Sequence, residues 1–598
     1  MIDRATLFWL CAALLAGCGK TPQAAPPELE LGGEPVPVPA QVAAYFAVRS
    51  IDGLGDRVAE IVGRALSIAA AAPDARRERA AAVARRLSLP EALAPELDLS
   101  RTVWFAALVD PKRWLASVPY RDRDALEAAL RAAAPEAPRA GPLRRVGAVF
   151  VATAPGHLLV TDSPDTFAAL SPFMLRTLVP RAPDGDVELH ACIANVVSQT
   201  GLDADRLMDA FSRLLAEGLP DDEADAASAG VRRLGARFRR YVELGTTLRE
   251  IVIEAGLGHD ELTARVELAA LPGGRAHELA RSERPGRPFG RELLPDDAWL
   301  LLADRAADRR GDAPGFVADA IAAFIAGKFP GAAADPARAA AIDAAFGDYT
   351  VAVRRVSPGQ DVALAILQAR DAAAAERIAL DVTGALARRL HLVVAGKPPG
   401  AAAPTLTVTP SKLKLAGVKI ARYDVAVKAP GGDAGETPPE LRPLLGRPDG
   451  RVTIALATAG DRLIATVDSG ALDEMKRALQ ARGGDANRPS GGAALWEPPR
   501  SDVERVGLVY LGPVQAAQAL LDFLPREPRS YLERLERLRA GGGVTLDWGV
   551  TPRRAGFALR LRVPLGPLVA IASVLADAYR SGEMKAQLNA LVSESARH

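Results

Sequence analysis

The chain has 598 residues, 49% hydrophobic and 25% charged, with 74 basic side chains against 73 acidic. That length exceeds what one hydrophobic core usually supports, so two or more domains are expected, and the composition is that of a folded globular protein rather than a disordered or fibrous one. A net charge of +1 excludes a nucleic-acid binder that works through a large basic field.

At the N-terminus, Arg4 is followed by an apolar run over residues 5–17, too short to be a permanent transmembrane helix. Small residues then lead into a cysteine, Leu15-Ala16-Gly17-Cys18. This order is that of a secretory signal, and the four residues resemble the lipobox of bacterial lipoproteins. The resemblance implies export, diacylglycerol attachment to the Cys18 thiol, cleavage between Gly17 and Cys18, and acylation of the new amino terminus. Residues 1–17 are then the signal peptide. One myristoyl-length chain holds a protein only marginally, at about 0.8 kcal/mol per buried methylene, whereas the two or three chains of a lipoprotein anchor it for good. Residues 18–38 are rich in Pro and Gly and read as a tether. No Asp follows Cys18. In Gram-negative lipoproteins an Asp there favours inner-membrane retention, so the resemblance implies an outer-membrane anchor facing the periplasm. Gly19-Lys20-Thr21 ends like a phosphate-binding loop but lacks the preceding glycine and strand.

Four segments recur in the same order along the chain. Residues 39–48 and 295–303 are proline-led strands, each followed by a helical pattern, 54–72 and 315–328. Residues 102–108 and 349–353 are strands leading to a further short strand and a helix with acidic and basic residues at its start. Residues 146–163 and 452–469 are hairpins with a glycine turn, closing on Asp162-Ser163 and Asp468-Ser469 ahead of a helix. Residues 187–195 and 506–511 are strands followed by a helix, an arginine-rich helix, and a closing strand pair: 250–255 with 262–268, and 544–548 with 556–563. Period-2 alternation in 264–268 and 559–562 suits an antiparallel sheet with one wet face. The expected fold is α+β: two homologous halves, each a mainly antiparallel sheet with helices packed on one face. The first spans 39–287. The second spans 288–576 and is interrupted by Pro/Gly-rich insertions at 395–404, 429–448 and 482–500, with an extra hairpin over 406–427. A C-terminal helix or tail covers 577–598. The layout, with its opening strand at 39–48, resembles large duplicated envelope proteins of unknown function, a resemblance that carries no catalytic residues.

The cysteines are Cys11, Cys18 and Cys192. With Cys11 removed and Cys18 acylated, Cys192 has no disulfide partner and reads as a buried structural thiol. The histidines His157, His190, His259, His277, His391 and His598 show no metal-ligand spacing. His259-Asp260-Glu261 reads as a solvated hairpin turn, and His157 as a surface turn residue whose counterpart is Asp461. The acidic run 221–225 suits a helix start and the basic run 232–240 a solvated helix face. Gly541-Gly542-Gly543 reads as a helix C-cap. Trp104, Trp114, Trp299 and Trp548 read as core residues. No nucleophile elbow or dinucleotide fingerprint occurs. No catalytic, cofactor or metal site is therefore expected. The expectation is a non-enzymatic scaffold or partner-binding module tethered to the envelope membrane through its lipidated N-terminus, with no nucleic acid and with a possible protein partner. A carrier of lipid or another small apolar ligand and a hydrolase with a dispersed site are the alternatives.

Overall fold

A computed structural model describes residues 31–66, 74–110, 112–135, 139–201, 243–283, 289–295, 297–305, 335–357, 360–395, 405–428, 451–468, 470–481, 504–521, 542–551 and 555–582, with a few isolated positions between them. The chain divides into two compact units. Unit 1 is Met1–Glu278 with Arg554–Ala558, and unit 2 is Leu279–Arg553 with Leu559–His598.

Among the described residues, in chain order, the first ten strands and six helices are β1 (Val42–Val48), α1 (Ile51–Leu66), α2 (Ala75–Arg86), β2 (Val103–Leu108), β3 (Trp114–Pro119), α3 (Arg123–Ala133), β4 (Arg139–Ala140), β5 (Leu143–Val146), β6 (Val149–Ala154), β7 (His157–Thr161), α4 (Pro164–Phe173), β8 (Val187–Ala191), α5 (Ile193–Thr200), β9 (Leu248–Leu257), β10 (Glu261–Ala270) and α6 (Arg275–Ser282). Antiparallel ladders place the strands in the order β4-β5-β6-β7-β3-β2-β1-β8-β9-β10. Local chemistry starts the helices. Asp122 accepts the Ala125 N–H at the head of α3, and the Ser163 hydroxyl accepts the Thr166 N–H at the head of α4.

Helices cover both faces of this sheet, which corrects the one-faced expectation. Ala116, Val118, Leu158 and Val160 pack with Leu126 and Leu130 of α3 and with Ala80 and Ala84 of α2. Trp104, Ala106, Leu115 and Leu159 point the other way, onto Phe167, Leu170 and Phe173 of α4. The reason is in β7, His157-Leu158-Leu159-Val160-Thr161, where all five residues are buried. Strands buried on both faces lose their polar alternation. The alternating segments 264–268 and 559–562 lie in β10 and β20, whose side chains are mostly half-buried, with Glu267 buried.

The remaining elements are β11 (Ala298–Asp304), α7 (Pro336–Ala345), β12 (Phe346–Ser357), β13 (Gln360–Ala369), α8 (Ala372–Ala395), β14 (Thr405–Leu415), β15 (Val418–Lys428), β16 (Arg451–Ala459), β17 (Arg462–Val467), α9 (Ala471–Ala481), β18 (Glu504–Leu511), α10 (Pro513–Leu521), β19 (Val544–Thr551), β20 (Gly556–Pro564) and α11 (Leu565–Arg580). Their order is β14-β15-β16-β17-β13-β12-β11-β18-β19-β20. Adding ten to each strand number of the first sheet reproduces it. Here too both faces are covered: Ile464 and Leu364 pack with Met475 and Ala478 of α9, and Leu463 with Ala375 of α8.

Register details coincide as well. The β1–β2 ladder shifts between Val42 and Ala44, and the β11–β12 ladder shifts between Ala298 and Leu300. β6–β7 and β16–β17 are joined by two-residue turns, Pro155-Gly156 and Gly460-Asp461, with Gly156 at φ +73 and Gly460 at φ +70. The ladders match Thr161 with Thr466, one residue away from a match made on Asp-Ser. The connection from β17 to α9 is longer than that from β7 to α4, and Asp468 takes φ +99 within it. The hairpin β14–β15, read from sequence as an extra element, occupies the place of the short β4–β5 hairpin and lengthens it to eleven residues per strand.

Candidate functional site

Period-2 geometry puts Glu188 and His190 on one face of β8, opposite Ala47 and Tyr45 of β1 and opposite Glu254 and Val252 of β9. Glu250, two residues before Val252, shares that face. His190 is held between two carboxylates, with Nδ1 2.6 Å from Glu250 Oε1 and Nε2 2.6 Å from Glu188 Oε1. Glu188, only 1% exposed, also pairs with the Arg181 guanidinium and accepts the Asp184 N–H at 2.9 Å. Arg181 lies over the Trp104 ring, 5.3 Å from its centroid. The Tyr45 ring stacks on His190 and meets Phe173 edge-on.

The electrostatics follow from burial and these partners. Burial alone would raise the Glu188 pKa, but the hydrogen bonds from His190 and the Asp184 N–H and the Arg181 charge pull it down to about 2. Burial would lower that of His190, yet hydrogen bonding to Glu188 and Glu250 raises it above the usual histidine range. Burial and the nearby Glu250 charge raise the Tyr45 hydroxyl well above the usual tyrosine range. Glu254, facing Glu188 across the ladder, is raised by burial despite Arg265 beside it. His190 is therefore an imidazolium whose two N–H groups are both committed. The arrangement fixes β8 to β9 and the segment around Arg181, and leaves neither ring nitrogen open to take up a proton.

Cys192 is buried, and its N–H donates to Ala43 O at 2.7 Å. Burial, with the Glu250 charge, pushes its thiol up to about 12, the reverse of an activated nucleophile. His157 is buried, not a surface turn residue, with Nδ1 3.0 Å from the Ser117 hydroxyl. Burial and the Arg101 charge lower its pKa to about 4. Its register counterpart is Arg462 rather than Asp461, because His157 pairs with Ala154 as Arg462 pairs with Ala459. His259 Nδ1 lies 3.1 Å from Glu60, and Arg64 of α1 donates to His259 O at 2.6 Å, so the β9–β10 turn is fastened to α1. His277 accepts the Gly273 N–H.

Trp104 is fully buried, whereas Trp114, Trp299 and Trp548 are half-buried. Gly17 and Cys18, the acidic run 221–225, the basic run 232–240, His598 and the His391 side chain lie outside what is described. Among the described residues no group of His, Cys, Asp and Glu is placed to hold a metal ion.

The network is not repeated in unit 2. By register Tyr45, Glu188 and His190 correspond to Leu301, Leu508 and Tyr510. Unit 2 instead buries Glu474 against Arg354 and Arg477, each at 2.9 Å, and Arg505 against Asp547 at 3.4 Å. Sequence reading missed Arg181, Glu188 and Glu250 as partners of His190. The available signal was Glu188 and His190 at alternate positions of a strand with otherwise apolar neighbours. Comparison with protein families, with curated proteins and with solved structures finds no match to the chain.

Proposed function

We propose that the protein is a bacterial envelope lipoprotein, anchored through Cys18 to the periplasmic face of the outer membrane and acting as a non-enzymatic scaffold or partner-binding module built from two homologous halves. One observation carries it: the two units share a ten-strand order, a bulge position and the positions of their two-residue turns. A module present twice offers two related surfaces to one partner. The ionisable groups of reactive type support binding over chemistry. His190 is saturated by two carboxylates, the Cys192 thiol is held far from its reactive form, and His157 stays neutral in a closed core.

In-cell photo-crosslinking followed by native mass spectrometry of the protein released from the envelope tests this reading. A reproducible crosslinked protein partner, and the mass of the acylated chain with no further bound small molecule, are expected. A discrete small-molecule mass that disappears on solvent extraction, without a protein partner, contradicts it in favour of a carrier of an apolar ligand.

A further inference from the structure

The chain contains ten lysines, and four of them lie between Thr405 and Lys428. Lys412, Lys414 and Lys419 stand on one face of the β14–β15 hairpin tip. Lys414 is directly opposite Lys419, and Lys412 is opposite Ala421. All three are exposed. On the other face Leu413, Leu415, Val418 and Ile420 pack into the core, which fixes the direction of the lysines. None of the three has an ion-pair partner among the described residues. On the lysine face the charge of Glu376 of α8 acts on Tyr423, farther from the tip.

Edge protection accounts for part of this. Among the described residues β14 pairs with β15 alone, and Pro410, Lys412 and Lys414 are of the kinds that keep an exposed edge from recruiting another strand. Lys419 lies on the inner strand β15, one residue short of its ladder with β16, which begins at Ile420. There it sets like charges directly across a ladder, an arrangement that destabilises a sheet. Charge kept against stability points to an anionic partner. Two exposed aliphatic side chains belong to the same packed pair of elements, Val408 of β14 at 39% and Leu380 of α8 at 36%. Lysines on the same strand face as an exposed aliphatic group, Val408, suit the boundary of a bilayer, where charges meet phosphates and apolar groups enter the interface.

We propose that the β14–β15 tip docks on anionic phospholipid headgroups through Lys412, Lys414 and Lys419. The proposal rests on the membrane-tethered reading, since a chain anchored by lipid meets a bilayer at high local concentration.

The test uses the chain from Gly19 to His598, which lacks both the apolar run 5–17 and the Cys18 thiol, in flotation with vesicles. One set is phosphatidylcholine alone, and in the other one lipid in three is phosphatidylglycerol. Binding to the anionic vesicles over the neutral ones is expected, and the Lys412→Gln/Lys414→Gln/Lys419→Gln variant should bind about a hundredfold more weakly, at about fivefold per lysine. The variant should unfold at the same or a higher urea concentration, which separates lost binding from lost folding. Equal binding by the variant, equal binding to both vesicles, or no binding would overturn the proposal. Lysine-dependent retention on polyglutamate without vesicle binding would overturn it in favour of an acidic protein. Because the tested chain carries no acyl group, none of these results bears on whether Cys18 is lipidated.

Discussion

The Tyr45 ring lies 4.4 Å from the His190 ring and 11° from parallel, so the imidazole is held by a carboxylate at each ring nitrogen and by a stacked aromatic face. Stacking of a cation on a desolvated aromatic face contributes about 1–2 kcal/mol. Tyr45→Leu, which installs the residue found at the matching position Leu301, should lower the His190 pKa and destabilise unit 1 by about that amount. A proton-resonance titration of the histidines and a urea melt would show it. An unchanged His190 titration would mean that the stacking is incidental.

Glu188 carries the larger share. Removing one partner of a buried ion pair leaves an uncompensated charge and costs about 3–5 kcal/mol. Glu188→Gln should therefore be among the most damaging single changes in unit 1. The double change Glu188→Leu/His190→Tyr recreates the pair at Leu508 and Tyr510 and removes both charges together. It should cost less than Glu188→Gln alone, as measured by equilibrium unfolding.

Acid sensitivity should come from His157 before it comes from Glu188. The folded pKa of His157 is lowered from 6.5 to about 4. The unfolded chain therefore takes up the proton first, and stability falls as pH drops from about 6.5 to about 4, by about 3 kcal/mol in all. Glu188 is depressed from 4.5 to about 2 and contributes stability above 4.5, lost as pH falls through that lower range. His190 has the opposite sign: raised on folding, it stabilises below its unfolded pKa and the contribution is lost as pH climbs through its raised value. His157→Gln keeps a hydrogen-bonding side chain near Ser117 and should flatten the unfolding midpoint between pH 6.5 and 4. A slope unchanged by the substitution would locate the acid sensitivity elsewhere.

Gly507 faces Trp548 across β18 and β19, and a Cβ added at Gly507 would overlap the indole ring. The matching pair in unit 1 is Val187 and Ala255, so a large residue on one strand replaces a large residue on the other. Gly507→Val should destabilise unit 2 by about 3 kcal/mol through overpacking. Gly507→Val/Trp548→Ala, which copies the unit 1 pair, should recover most of that loss. Additive losses would show that the two pairs are not equivalent.

The antiparallel strands, the two-residue hairpin turns and the Ser163 cap were legible because each has a local cause: alternation, a glycine turn and a side-chain acceptor. The covering of both sheet faces was not, because the reading rested on the alternation of two strands, β10 and β20, while the all-buried β7 carries no periodic signal about its second face. The His157 environment was misjudged for a related reason. A histidine next to a glycine turn looks exposed until Ser117, forty residues away, is placed beside it. The Glu188–His190–Glu250 network joins β8 to a strand sixty residues later, a pairing that spacing alone does not supply. The lysine tip was readable as composition, but its like-charged register needed the ladder.

The envelope reading proposed above depends on lipidation of Cys18. Growth of the producing bacterium with labelled palmitate, followed by mass spectrometry of the purified N-terminal peptide, tests it most directly. The native chain should incorporate label and begin at an acylated Cys18, whereas Cys18→Ser should carry no label and retain residues 1–17. An unlabelled native chain, or one whose mature N-terminus lies elsewhere, would contradict the account.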